Sequence, residues 1–158
     1  MRQILFRGKR NKQEDPLERW IEGSYIKYTD IRDKKVIRIA SSCGYMNDVI
    51  PETIGQFTGL IAEKCKSNLD KRIFEHDIFR HTKETDEGDI VGYSVVMWLK
   101  KYAAYYLIPV EHYIILNNDI AGEEDFSWLF DEALLRDFSI DVGLTKVGNI
   151  FDNPELLI

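Results

Sequence analysis

The run Ile90-Val91-Gly92-Tyr93-Ser94-Val95-Val96-Met97-Trp98-Leu99 constrains the fold more than any other segment. It is dense in β-branched and aromatic residues, which pack well on a pleated surface and lose side-chain freedom in a helix. The run predicts a strand, and similar shorter runs recur along the chain. They predict strands at residues 4–8, ending at a glycine, and at 20–28, bent around Gly23. A charged turn at 30–35 leads into a returning strand at 36–39. Further strands are predicted at 53–57, 73–79 (one strand, or a tight turn plus a strand), 103–108, 112–116, 138–142 and 145–151. Residues 9–16, 81–88 and 117–124 are polar and charged and read as loops. Residues 60–72 read as a loop or as one helical turn over 61–66.

The period changes once. Phe126, Leu129, Phe130, Ala133 and Leu134 recur at helical spacing, with Asp125 or Ser127 as N-cap, and predict an amphipathic helix near residues 126–137. Asn153-Pro154 opens a final turn, with Pro at a first helical position and Asn as its cap. No repeat, low-complexity run or linker interrupts the 158 residues. The expected architecture is therefore a single domain over 1–158 of the α+β class, β-rich, with antiparallel sheets or a small β-barrel and one helix.

Charge narrows the partners. The chain has 27 acidic against 21 basic residues, a net charge of −6. That gives no global attraction to phosphates, so a nucleic-acid role needs a local patch. Arg7, Lys9, Arg10 and Lys12 form the one basic stretch, with Trp20 or Tyr25 near in sequence for stacking, but Glu14, Asp15, Glu18 and Glu22 dilute it. No apolar run reaches the length of a membrane span. Residues 1–7 meet a charge too early for a signal peptide, so no membrane partner and a cytoplasmic location are expected. Cys43 and Cys65 have neither metal-site spacing nor a disulfide framework. They read as free, buried thiols, with one bridge between them left open.

Catalytic motifs are missing one by one. There is no nucleophile elbow, no patterned Cys–His pair, no phosphate-binding loop and no dinucleotide fingerprint, so no cofactor is called for. One metal candidate remains: Glu75, His76, Asp77 and His81, carboxylates and imidazoles close in sequence. On a strand, Glu75 and Asp77 face one side and His76 the other, which splits the set. The histidine spacing matches no standard metal motif. The tyrosines of 102–106 offer either core pairing or an aromatic contact face.

Several segments taken together resemble the YopX-like phage proteins. They are residues 1–10 (M-R-Q-I-L-F-R-G-K-R), Trp20 with Glu22-Gly23-Ser24-Tyr25, V-I-P-E-T-I-G-Q-F-T-G-L at 49–60, I-F-E-H-D-I at 73–78 and V-G-N-I-F-D-N-P-E-L-L at 147–157. They run in the family's order over almost the whole chain. The family pattern reads I-Y-E-G-D-I-V where this chain has Ile73 to Phe79, so His76 stands in place of a glycine. A second alignment places E-G-D-I-V on Glu87 to Val91. The resemblance implies a β-rich phage or prophage protein of unassigned activity, in some members a homo-oligomer, with no catalytic residue to carry over. Gly8, Gly55, Gly59 and Gly148 would serve turns or bulges. A non-enzymatic binding or assembly protein is the first expectation, a nucleic-acid-binding accessory protein the second, and a metal-assisted hydrolase the third.

Overall fold

A computed structural model describes residues 4–11, 19–67, 69–86, 88–117 and 144–158. Within it the chain divides into two compact units, Met1–Gly59 and Leu60–Ile158. The helix expected near 126–137 and the strand at 138–142 lie outside the described residues.

The first unit is an antiparallel sheet. Phe6–Lys9 (β1), Trp20–Thr29 (β2), Lys35–Ala40 (β3), Met46–Asp48 (β4) and Gly55–Ile61 (β5) lie in the order β4-β3-β2-β1-β5. The predicted hairpin is present, and its turn is held by Asp30. That carboxylate accepts from the Arg32 and Lys34 backbone N–H groups at 2.8 and 2.9 Å. Ile39, Val49 and Phe57 are buried. Gly8 does not stop β1. It sits within the strand because Ile39, Val49 and Ile54 fill the space beside it. β5 begins at Gly55 rather than at residue 53, since Pro51–Thr53 winds into a 3-10 turn. The Thr53 hydroxyl fixes that turn to β1, accepting from the Lys9 N–H at 2.8 Å while donating to the Ile50 carbonyl at 2.7 Å.

The second unit holds Lys64–Cys65 (β6), Arg72–Phe74 (β7), Asp77–Thr85 (β8), Gly88–Leu99 (β9), Ala104–Pro109 (β10), the helix Val110–Asn117 (α1) and Thr145–Asn149 (β11). Its sheet runs β10-β9-β8-β11-β6, antiparallel except for the short parallel pair β11–β6. Alternation along β9 sends successive side chains to opposite faces. Val95 and Leu99 join Ile78, Tyr106 and Ile108 on one side. Val96 joins Phe79, Ile73, Ala62 and Tyr105 on the other. The run Ile90 to Leu99 thus supports two apolar clusters at once. β11 bulges between Lys146 and Gly148, as the glycine suggests. Among the described residues both sheets are open rather than closed into a barrel, and the β-rich α+β expectation holds. No helix among them is long and apolar enough to cross a membrane.

Four further local expectations fail for identifiable reasons. Residues 112–116, expected as a strand, lie in α1. Their β-formers conceal a helical period, since Val110, Tyr113 and Leu116 are the buried positions, and Pro109 followed by Glu111 is a helix start. Residues 81–88, expected as a loop, belong to the β8–β9 ladder, with His81 opposite Gly92 and Thr85 opposite Gly88. Much of that ladder is exposed, so no buried face imposes an apolar alternation on it. Residues 61–66 form no helical turn, because Lys64 and Cys65 pair with Thr145 and Lys146 far along the chain. Cys43 is exposed and Cys65 half-buried, so the thiols are free but not both buried.

The turn between β7 and β8 is the position where a glycine gives way to histidine. His76 nevertheless takes φ +70, the left-handed region. An L side chain there costs about 1–2 kcal/mol. The turn is held by bonds on both sides: the His76 N–H donates to the Val96 carbonyl at 2.9 Å, and its carbonyl accepts from Ile150 N–H at 3.0 Å. The ring also stands edge-on to Phe151, 5.3 Å between centroids. His76→Val is expected to melt below His76→Gly by about 1–2 kcal/mol, because branching at Cβ aggravates the left-handed clash. Equal urea midpoints for the two variants would show that the turn does not need that backbone.

Candidate functional site

The four candidate metal residues occupy different settings. Glu75 and His76 form the turn, Asp77 begins β8, and His81 lies further along it. Asp77 is fully buried, and its carboxylate faces the ammonium of Lys146 at 2.8 Å. It also accepts from the Phe74 N–H at 2.8 Å. Lys146 donates further to the Asp70 carbonyl at 2.8 Å and the Arg72 carbonyl at 2.6 Å, so three acceptors surround its three protons. His81 stacks over Gly92, with Nε2 3.3 Å from the Ser94 hydroxyl. Among the described residues no group of three or more His, Cys, Asp or Glu is placed to hold a metal ion.

The surroundings of Lys146 are electrostatically tuned. Partial burial pushes the Asp70 carboxyl up, but hydrogen bonds and charge from Arg72, with Lys146, outweigh that and hold it below its ordinary value. Burial pushes the Cys65 thiol up, which keeps it protonated and a poor nucleophile. Apart from that group, in the cluster with Ile78 and Val95, burial and then the charge of Glu75 push the Tyr113 phenol up to about 12. The shifts at Asp70 and Cys65 describe a polar knot around Lys146. They do not describe an activated nucleophile.

The basic stretch is largely turned inward. β1 places Arg7 and Lys9 on one face, where both are buried. The Arg7 guanidinium lies 4.9 Å and the Lys9 ammonium 5.4 Å from the centroid of the Trp20 ring. Trp20, expected to stack bases, instead covers the cations that were to attract them. Arg10 is half-buried, and Lys12 lies outside the described residues.

Among the described residues two exposed stretches are ribbons. In the first unit β2 leaves β1 after Gly23 and pairs with β3, while β4 pairs with β3 at Arg38 to Ala40. Residues 27–37 are therefore a two-stranded arm. Tyr28 is 40% exposed on it, and Ile31 at its tip is fully exposed. Among the described residues of the second unit, β11 pairs with β8 as far as Arg80, and β10 pairs with β9 from Ser94. Residues 81–92 form a second arm, with Ile90 60% and Val91 44% exposed. Sequence reasoning placed the first as a hairpin, read residues 81–88 of the second as a loop, and gave neither a role. The signal was there: β-formers left without a buried neighbour.

A family model described as YopX protein matches residues 5–158. The chain belongs to the YopX family. No curated protein and no solved structure matches it. The family-like motifs of this YopX chain fall on structural positions. V-I-P-E-T-I-G-Q-F-T-G-L spans the 3-10 turn and β5. I-F-E-H-D-I carries the left-handed turn and buried Asp77. In the closing motif the Asn149 side chain accepts from the Phe151 and Asp152 N–H groups, both at 3.0 Å, and donates to the Asp152 carboxylate at 2.8 Å. Pro154 then opens a 3-10 turn, although Asn153 makes no side-chain cap bond.

Proposed function

We propose that this YopX-family protein is a non-enzymatic binding or assembly protein encoded by a phage or prophage, working as a homo-oligomer in the cytoplasm of the bacterial host. The observation that carries the reading is the pair of exposed ribbons, 27–37 and 81–92. An isolated two-stranded ribbon is marginal in water, and its open edges and exposed apolar side chains are suited to association. The inward-turned Arg7 and Lys9, and the engagement of Asp77 by Lys146, favour this reading over the other two. Size-exclusion chromatography with light scattering is expected to give a mass that is a multiple of the 18.5 kDa chain. A strictly monomeric protein at micromolar concentration overturns the assembly reading.

A further inference from the structure

We propose that the two ribbons are each other's partners between copies of this chain, the 27–37 arm of one protomer docking on the 81–92 arm of the next. The inference rests on the assembly reading above and assigns its interface. Its ground is charge. The first arm carries Lys27, Arg32, Lys34 and Lys35 against Asp30 and Asp33, a net of two positive charges. The second carries Lys83 against Glu84, Asp86, Glu87 and Asp89, a net of three negative charges. Both arms therefore stand out in sign within one molecule, and each matches the other.

The apolar content matches as well. Tyr28 and Ile31 on the basic arm, and Ile90 and Val91 on the acidic arm, are exposed in the single chain. Exposed ion pairs alone contribute little, but opposite fields steer encounter and set register, while the apolar side chains and open strand edges supply area and backbone hydrogen bonds. The contact joins two different surfaces, so it is heterologous. Repeated head to tail, it closes a ring or extends a filament. A nucleic acid fits less well, since the acidic arm and the net charge of −6 both repel phosphates.

Two full-length variants test this. Lys27→Glu with Lys34→Glu and Lys35→Glu makes both arms acidic. Asp86→Lys with Asp89→Lys makes both basic. All five side chains are exposed, and circular dichroism checks that each variant folds. Each variant alone is expected to dissociate to monomers, with at least a tenfold rise in the dissociation constant. An equimolar mixture is expected to regain the wild-type mass, because the acidic first arm of one variant now meets the basic second arm of the other. Retention of the wild-type mass by either variant, or failure of the mixture to reassemble, overturns the inference while leaving the assembly reading standing. A monomeric wild type removes both. Binding of a labelled random-sequence DNA strand that the triple variant loses without a change in mass assigns the basic arm to nucleic acid, and also overturns the inference.

Discussion

Lys146→Met is expected to lower stability by about 3–5 kcal/mol, the cost of leaving a buried charge without its partner. The substitution keeps the aliphatic volume and removes the ammonium. Asp77 is then a carboxylate with no exposed surface that still accepts from the Phe74 N–H but has lost its ammonium. The Asp70 and Arg72 carbonyls lose the same cation. For a chain of this length the loss corresponds to a fall in Tm on the order of 10 °C. Pairing Lys146→Met with Asp77→Leu is expected to recover much of it, because an apolar pair of similar volume often replaces a buried ion pair at little cost. Urea melts of the wild type, the single variant and the pair decide the matter. A single variant within about 1 kcal/mol of wild type would show that the ammonium does not neutralise Asp77.

Gly23→Ala is the second large effect, expected at about 3 kcal/mol, the upper end of the usual cost of forcing atoms into a filled space. A Cβ at this position would lie 1.8 Å from the Ala40 carbonyl oxygen and 2.6 Å from its carbon. Both are backbone atoms, so no rotamer change relieves the clash. Gly23 is the last β2 residue paired to β1, and the ladder to β3 starts at the next residue. The side chain would therefore prise β3 away at the junction from which the basic arm springs. Thermal melting and amide exchange along β2 and β3 would report it. A variant with wild-type melting and protection would show that the strands can separate at that point without loss.

The contrast between what was legible and what was not follows burial. Segments with a buried side read correctly: β9 with Val95 and Val96, β2 and β3 around Ile39, β10 with Tyr106 and Ile108. Burial imposes alternation or apolar density, and that pattern is written locally. The exposed half of the β8–β9 ladder has no such constraint, and its charges read as a loop. α1 misled by composition, since Tyr113, Ile114 and Ile115 are β-formers recruited to a helix by the cluster beneath it. β6 depends on Thr145 and Lys146, which no local window contains.

The candidate chemistry was less legible than the fold. Residue types identify groups that could act, but only packing reveals which are already engaged. Asp77 read as a ligand and is matched to Lys146. Arg7 and Lys9 read as phosphate contacts and lie buried beside Trp20. His76 was singled out for its imidazole and for replacing a glycine. Its backbone nonetheless keeps the left-handed turn that a glycine would favour.

The Lys146 knot also sets an order of events at the ribosome. Asp70, Arg72 and Asp77 are synthesised early, whereas their cation arrives only when position 146 has been made. Until then Asp77 has reason to stay hydrated, and the strand beginning there cannot close over it without cost. The parallel pair β11–β6 waits for the same residues. Among the described residues, the strand pairs of the first unit's sheet all lie upstream of position 146. Translation therefore delivers the basic arm on a sheet that can already be formed, well before the acidic arm acquires a locked base.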